Sequence, residues 1–193
     1  MEVTVRLAEY LWRPLTASSD DTDFVVSQRQ SQLAHEAFFS GRITREDHQR
    51  FLKLAAQRDE INWIIERRGE RVGASGIFHL DRQNRRAEGG RIVMTLPELY
   101  LMNMLVTHYV AFEFLGLNKV CGETMATNTA VNRALERAGV TQEGVLREHA
   151  FKDGTAVDVY VWGVLARDWP LLKRRFAPQF GEPSILLHGV DLG

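Results

Sequence analysis

The stretch NKVCGETMATNTAVNRALERAGVTQEGVLREHAFKDGTAVDVYVWGVLA, residues 118–166, decides the fold of this 193-residue chain. Its pattern is typical of a strand, a short helix and two further strands. Asn128 stands at the N-cap position, apolar residues recur at helical spacing from Val131 to Ala138, and Gly139 occupies the position of a left-handed C-cap. The stretch therefore predicts a short helix with two defined ends, set between strands.

The last two strands of this stretch form a predicted hairpin. VTQEGVLREHAF and TAVDVYVWGVLA flank an Asp153-Gly154 pair, which favours a tight turn. In the second run, Val157, Val159 and Val161 share one face and alternate with other residues. This alternation predicts a half-buried antiparallel strand.

Composition restricts the class of protein. The chain is 45% hydrophobic and 25% charged, which is typical of one soluble globular domain. Its formal net charge of −1 provides no field that would recruit nucleic acid or an anionic membrane. The single Cys121 excludes an intramolecular disulfide, and without a signal peptide or a long apolar run we expect a cytoplasmic protein.

The N-terminal half predicts strands and two helices. EVTVRLA, residues 2–8, alternates as a first strand, and a polar loop holding Pro14 follows. A helix capped by Thr22 or Asp23 is expected to run to about residue 39, and a second helix begins with a capping box at Thr44 to Asp47. Three runs, residues 61–67, 69–81 and 85–95, then predict the next three strands of an antiparallel meander.

Fixed spacings in the C-terminal half resemble a known family. They are Asn128-x4-Arg133-x-Leu135-Glu136-Arg137-x-Gly139-Val140, Glu143-Gly144-x-Leu146-Arg147-Glu148-His149 and Asp153-Gly154-x3-Asp158. They are similar to the GCN5-related N-acetyltransferase (GNAT) superfamily, in the branch holding the ribosomal-protein N-terminal acetyltransferases and the nucleotide-amino-sugar acetyltransferases of pseudaminic acid biosynthesis. The resemblance covers roughly residues 2–168. It implies an α/β (α+β) GNAT fold, with a mixed, mainly antiparallel twisted sheet of about seven strands and about four helices.

The resemblance also implies a donor site for acetyl-CoA, with no metal. The fourth predicted strand would pair its free backbone groups, about Ile92 to Thr95, with the pantetheine arm, and the following loop would bind the pyrophosphate. Residues 96–105 depart from the family because they contain no glycine and no basic residue. Either the loop amides still bind pyrophosphate, or the donor is held differently, is another compound or is no longer used. The implied cofactor-binding residues are Val93, Met94, Thr95, Tyr100, Leu101, Met102, Asn103, Met104, Asn128 and Arg133.

Glu88 is the candidate catalytic base, since the branch usually carries a glutamate there. A carboxylate at this place could take a proton from an ammonium through water, and the alternative is a turn carboxylate paired with Arg85 or Arg86. Cys121 is interpreted as a small buried residue rather than a nucleophile. Some relatives place a tyrosine general acid at the position of Leu135, so that role is empty here or is taken by water.

Four further side chains are candidates for substrate binding. Arg29 precedes a helix with a His and a Phe-Leu pair, as in the amino-sugar branch, where the two helices form a wall of the acceptor pocket. His79 and His149 are titratable residues near the acceptor face, although a solvated or hydrogen-bonded structural histidine is the preferred interpretation of either alone. Arg147 is interpreted first as a cross-strand partner of Asp158 and second as an acceptor contact. The candidates are Arg29, His79, Arg147 and His149.

These features predict an N-acetyltransferase domain over residues 1–168 that acts on a primary amine of a small molecule, preferably an amino sugar. Residues 169–193 are expected to be an extension that packs on the body, at a sheet edge or on a second subunit, so a homodimer is possible. No nucleic-acid or membrane partner is expected. The alternatives are acetylation of a protein N-terminus, or a binding protein with a degenerate donor site.

Overall fold

The computed structural model describes residues 1–96, 99–187 and 190–191. The strands form one mixed sheet. Its strands are β1 Thr4–Leu7, β2 Tyr10–Pro14, β3 Ile61–Arg67, β4 Glu70–Asp81, β5 Arg86–Met94, β6 Lys119–Met125, β7 Thr141–Lys152, β8 Thr155–Leu165, β9 Ser184–Leu187 and β10 Val190–Asp191. The helices are α1 Ser19–Arg29, α2 Gln32–Ala37, α3 Arg45–Ala55, α4 Leu99–Tyr109, α5 Thr129–Ala138 and α6 Trp169–Phe180, and a π-helical turn, Val110–Phe114, follows α4.

The order of the strands in the sheet is β10-β9-β1-β2-β3-β4-β5-β6-β8-β7. Neighbouring strands are antiparallel except for β5 and β6, which are parallel. A parallel pair needs a crossover, which α4 and the π-helical turn provide. The predicted fold class, a mixed and mainly antiparallel sheet flanked by helices, is confirmed, with more strands than the expected seven among the residues described.

Both faces of the central sheet are buried. The larger hydrophobic cluster includes Trp12, Trp63 and Leu105, and it brings α4, α5 and α6 onto one face. A smaller cluster on the other face lies under α1 and includes Val25 and Ile64. Because Trp63 and Ile64 are adjacent in β3 and both fully buried, this strand has no solvent face at its centre.

Two predictions about the N-terminal segment are wrong. The first part of the expected polar loop is instead a strand, β2, whose last residue is Pro14. Tyr10 and Trp12, two positions apart in this strand, both point into the core. The first helix is capped by Ser18 instead of Thr22 or Asp23, and it ends at Arg29. Ser31 caps a separate helix, α2, because its side chain accepts a hydrogen bond from the N–H of Ala34.

Other local signals are confirmed. Thr44 and Asp47 form a complete capping box at the start of α3. Asn128 caps α5 by accepting from the N–H of Val131, and Gly139 ends that helix with φ +85°. The Asp-Gly pair connects β7 to β8 as a hairpin.

The C-terminal segment packs on the body of the protein. Trp169, Leu172 and Phe176 bury one side of α6, whereas Leu171 is 67% exposed. β9 then pairs antiparallel with β1, with Val5 opposite Ile185. The division into residues 1–168 and an extension stays a prediction. In the part of the chain that the structure covers, no helix is both long enough and apolar enough to span a membrane.

Candidate active site

The two parallel strands β5 and β6 separate shortly after they begin. Their ladder comprises Arg86 to Glu88 of β5 and Lys119 to Cys121 of β6. β5 then continues to Met94 along β4, while β6 continues along β8. We call the opening between residues 89–94 of β5 and 122–125 of β6 the β5–β6 wedge; it exposes one backbone edge of β5 to a ligand.

Glycines form the narrow end of the β5–β6 wedge. A Cβ atom on Gly122 would lie 3.1 Å from the backbone oxygen of Gly89, and one on Gly89 would lie 3.0 Å from Cγ2 of Thr107. The backbones of β5 and β6 therefore approach each other at Gly122 without room for a side chain, and Gly89 packs closely against α4. Such a narrow, main-chain-lined opening fits an extended chain better than a bulky ring.

The helix after β5 begins close to this opening. Side chains in its first two turns fix it to the sheet: Met102 and Met104 are buried, and Asn103 Oδ1 accepts from Trp12 Nε1 at 2.9 Å and from Ser75 Oγ at 2.7 Å. These three predicted cofactor residues can thus offer only their backbone groups. The amides at the N-terminus of α4 carry partial positive charge and suit an anion. Pro97 and Glu98, which resemble the entry to the family's loop, lie outside the described residues.

Most of the remaining predicted cofactor residues have side chains engaged within the fold, and their contact with a cofactor stays a prediction. Val93 is buried under α1, and Thr95 donates through its hydroxyl to the carbonyl of Val72. Tyr100 and Leu101 are half-buried against the larger cluster, and burial raises the pKa of the Tyr100 hydroxyl. Met94 packs against the same cluster, Asn128 caps α5, and Arg133 is exposed on that helix.

Asn132 is a polar residue of this region that sequence reasoning missed. It is 5% exposed, and its Nδ2 donates to the carbonyls of Met125 and Ala126. Its Oδ1 accepts from the hydroxyl of Thr124, which in turn accepts from Trp162 Nε1 at 2.8 Å. The available signal was an asparagine one helical turn after the N-cap, on the side of α5 that faces the sheet. This network fixes the connection from β6 to α5 beside the β5–β6 wedge.

Glu88 stands at the vertex of the β5–β6 wedge, in the last residue pair of the β5–β6 ladder. Its neighbour Ala87 is buried toward α4, so Glu88 points to the opposite face of the sheet. A β-bulge in β4, with His79 at φ +51°, brings Nδ1 of His79 to 3.0 Å from Oε1 of Glu88. The structure therefore joins two predicted site residues in one hydrogen-bonded pair.

The alternative pairing of Glu88 with Arg85 or Arg86 is wrong. Arg85 donates to the carbonyl of Gly116, and Arg86 lies beside Asp81. The Glu88 side chain is 34% exposed and that of His79 is 60% exposed, so both can meet a substrate.

Cys121 faces Glu88 across the ladder. Its thiol is half-buried, and burial, followed by the charge of Glu88, raises its pKa. A raised pKa disfavours the reactive thiolate, in agreement with the interpretation of this residue as structural.

A second group of side chains lies on the Glu88 face, where α3 meets the sheet. The guanidinium of Arg91 stacks over two rings, 3.9 Å from the centroid of Phe78 and 5.0 Å from that of Phe51. Arg91 also binds Glu60, whose carboxylate is buried, and Asn62. We refer to Arg91 and the two rings that it contacts as the Phe51–Arg91–Phe78 stack.

Arg29, which was predicted to bind substrate, contacts the loop between α2 and α3. Its guanidinium lies 3.7 Å above the ring of Phe38 and donates to the carbonyls of Ser40 and Gly41, and burial lowers its pKa. Nearby His48 is 3% exposed, and burial lowers its pKa. The arginine thus has structural partners, and a contact with substrate stays a prediction.

Arg147 and His149, the other predicted substrate residues, are exposed on the edge strand β7. The prediction that Arg147 pairs with Asp158 across the strands is wrong. In the described part of the chain, Oδ1 of Asp158 instead accepts from the backbone N–H of Glu148 at 2.8 Å. Glu148 has φ +51° and lies in a bulge, which turns its backbone toward Asp158.

This arrangement, a carboxylate beside a free strand edge, suits an extended ligand that pairs with the edge as an added strand would. The family model described as acetyltransferase (GNAT) domain matches residues 11–141. The chain belongs to this family and is a GNAT-type N-acetyltransferase.

Relatives and solved structures agree with this assignment. The chain is 32% identical over 124 residues to the uncharacterized N-acetyltransferase YoaA of Bacillus subtilis, covering 61% of this chain and 69% of the relative. A GCN5-related N-acetyltransferase from Brucella melitensis superimposes with a TM-score of 0.76 at 22% identity, covering 91% of this chain and 84% of that chain. The spermidine N-acetyltransferase of Vibrio cholerae, solved with CoA and spermine, gives 0.74 at 18% identity, with 84% and 99% covered. The two structural matches share the fold.

Proposed function

We propose that the protein transfers the acetyl group of acetyl-CoA directly to a primary amine of a small molecule within a ternary complex. One observation carries the proposal: β5 and β6 separate immediately beyond Glu88. The carboxylate therefore lies between an open backbone edge on one side and the Phe51–Arg91–Phe78 stack on the other. Donor and acceptor can meet at this vertex.

The donor would bind along β5. An extended pantetheine arm can pair with the free edge of residues 89–94, as an added strand would. The pyrophosphate would then lie at the N-terminus of α4, where main-chain amides replace the glycine-rich loop that residues 96–105 lack. Because backbone groups supply these contacts, bulky apolar side chains in this segment do not prevent binding.

Glu88 would act as the base. The attacking amine must lose a proton, and Glu88, oriented by its hydrogen bond to His79, accepts it directly or through one water. The amine nitrogen bonds to the thioester carbon and the carbonyl becomes an oxyanion, which backbone N–H groups of β5 would stabilise. When the carbonyl re-forms, the C–S bond breaks and the thiolate of CoA leaves. The thiolate takes a proton from water, because Leu135, at the place of the relatives' tyrosine, is a buried apolar residue.

The charges beside the site support an amino sugar as the acceptor. Near the Phe51–Arg91–Phe78 stack, Glu60 is bound by Arg91, and Glu88 is paired with His79. Because Arg91 neutralises Glu60, these two carboxylates offer a polycation such as spermine one unmatched negative charge, that of Glu88. An acceptor with a single amine and a neutral or anionic remainder, such as a nucleotide-linked amino sugar, suits them better.

The test is an acceptor screen that measures CoA release with acetyl-CoA as donor. Its arms are amino sugars with and without a linked nucleotide, spermidine, and peptides with a free N-terminus. We expect turnover with amino sugars, and a decrease in kcat of about 100-fold or more for Glu88→Gln, since general bases contribute about that much. The matched control is Glu70→Gln, at an exposed position at the start of β4, which should retain full activity.

Turnover confined to spermidine or to peptides would overturn the proposed acceptor class, while the proposed acetyl transfer would stand. An active Glu88→Gln protein would overturn the role of Glu88. A folded protein that binds neither acetyl-CoA nor CoA would instead indicate a binding protein with a degenerate donor site.

A further inference from the structure

β5 contains a bulge inside the β5–β6 wedge. Gly76 pairs with Gly90 and Ala74 pairs with Val93, so the single residue Ser75 of β4 opposes two residues of β5. The first of these two, Arg91, has φ +56°. A left-handed conformation is unfavourable for a residue with a side chain, so other contacts must hold this backbone in place.

The side chain of Arg91 supplies these contacts. Its Nη1 donates to Glu60 Oε2 at 2.6 Å and to Asn62 Oδ1 at 3.0 Å, and its Nη2 lies 3.4 Å from Glu60 Oε1. The Glu60 side chain is 2% exposed. Burial raises the pKa of Glu60, but hydrogen bonds and charge from Arg91 outweigh this and leave it lowered. A buried carboxylate paired in this way fixes the guanidinium to the start of β3.

Two aromatic rings restrict the guanidinium further. Phe78 belongs to β4, and Phe51 belongs to α3, the helix on the acceptor side of the site. Opposite the bulge, Ser75 donates to Asn103 in α4. The bulge is therefore attached to α3 through Arg91 and faces a residue that is attached to α4.

We propose that Arg91 is a positioning residue: through Glu60 it fixes the bulged peptide groups of β5 in the β5–β6 wedge, three to four residues beyond Glu88, and through Phe51 it couples them to the acceptor wall. This inference rests on the proposed function, since it is the thioester that these peptide groups would orient. A bulge turns peptide groups out of the regular ladder, so it can aim an N–H at the thioester oxygen. Arginine is required because lysine offers neither the fork for Glu60 nor the planar face for the two rings.

The variants are Arg91→Lys and Glu60→Gln, and the control is Arg82→Lys. Arg82 also donates to a carboxylate, Asp59, at 2.8 Å, but both side chains are exposed at 62% and 42%. Hydrogen exchange of the ligand-free proteins is measured first. We expect exchange within residues 90–94 to accelerate about 10-fold or more in both variants, with β7 and β8 unchanged and the control like wild type.

Steady-state kinetics and binding separate positioning from mere stability. We expect kcat to fall by about 30-fold or more for Arg91→Lys while the KM for acetyl-CoA and for the acceptor changes less than about threefold, because misplaced groups cost chiefly transition-state stabilisation. Wild-type exchange rates in residues 90–94 of either variant would overturn the inference, and so would an unchanged kcat beside faster exchange. A wild-type protein that acetylates no amine would overturn the proposed function instead. In that case two results would support the role of Arg91: faster exchange in residues 90–94, and loss in Arg91→Lys of any preference for binding acetyl-CoA over CoA. Wild-type exchange would overturn it.

Discussion

Replacing Asp21 by asparagine should destabilise the protein strongly. Its side chain is 1% exposed in the first turn of α1. The carboxylate accepts from Arg13 Nη1 and Nη2 at 2.8 and 2.7 Å, from Arg71 Nε at 2.8 Å, and from the N–H and the hydroxyl of Thr16 at 3.0 and 2.7 Å. Burial raises the pKa of this carboxyl, but these donors outweigh it and hold the pKa well below its usual range.

The size of the effect follows from these contacts. Asparagine keeps the shape but removes the charge, and it turns an NH₂ toward an arginine. Breaking a buried charge pair on one side costs about 3–5 kcal/mol. Arg13 keeps a second partner, Glu66, and is itself 22% exposed, so we expect the lower end, about 3 kcal/mol. Urea unfolding at pH 7 measures this free energy.

The neighbouring Asp20→Asn variant is the matched control. Asp20 is 70% exposed and lies 3.6 Å from Arg71, so its loss should cost less than about 0.5 kcal/mol. Because the folded pKa of Asp21 is lowered, its contribution is complete above the unfolded value of 3.8 and is lost as the pH falls below it. Wild type and Asp21→Asn should therefore converge in acid. A loss below about 1 kcal/mol at pH 7, or equal losses for the two variants, would refute this reasoning.

Two further predictions concern buried titratable groups. Burial lowers the pKa of His108 from 6.5 to about 4. Between these two values the unfolded state binds a proton that the folded state does not, so the stability is full above pH 6.5 and falls as the pH decreases toward 4. His108→Phe should remove up to about 3 kcal/mol of the decrease in unfolding free energy between pH 7 and 4, and an unchanged pH slope would contradict this. Cys121 should react with iodoacetamide at pH 8 about 10-fold or more slowly than in urea, and Cys121→Ser should keep its kcat; rapid alkylation or a lost kcat would show a reactive thiol.

Local sequence signals predicted the parts of the fold that local interactions determine. The capping box of α3 and the two ends of α5 need only residues within one turn, and both are present. The strand β2 was missed because Tyr10–Pro14 is short and ends in proline, and its burial depends on neighbours that are distant in the sequence. One such neighbour is Asn103, 91 residues away, which accepts from Trp12.

The candidate site was predictable only in part. The resemblance directed attention to Glu88, but its partner His79 depends on a bulge in β4 that no local pattern specifies. Arg91 and Glu60 are separated by 31 residues and each looks like an ordinary surface charge in the sequence. Side chains such as Met102 and Asn103 were assigned to the cofactor from the resemblance, whereas packing directs them into the core. Long-range pairing and side-chain direction therefore account for what the sequence could not show.

Binding of acetyl-CoA tests the central claim most directly. Isothermal titration of the purified protein with acetyl-CoA, with free CoA in parallel, asks whether the β5–β6 wedge and the N-terminus of α4 hold a donor without a glycine-rich loop. We predict binding of both in the micromolar range, about −8 kcal/mol. No detectable heat with either ligand from a protein that unfolds cooperatively would contradict the account.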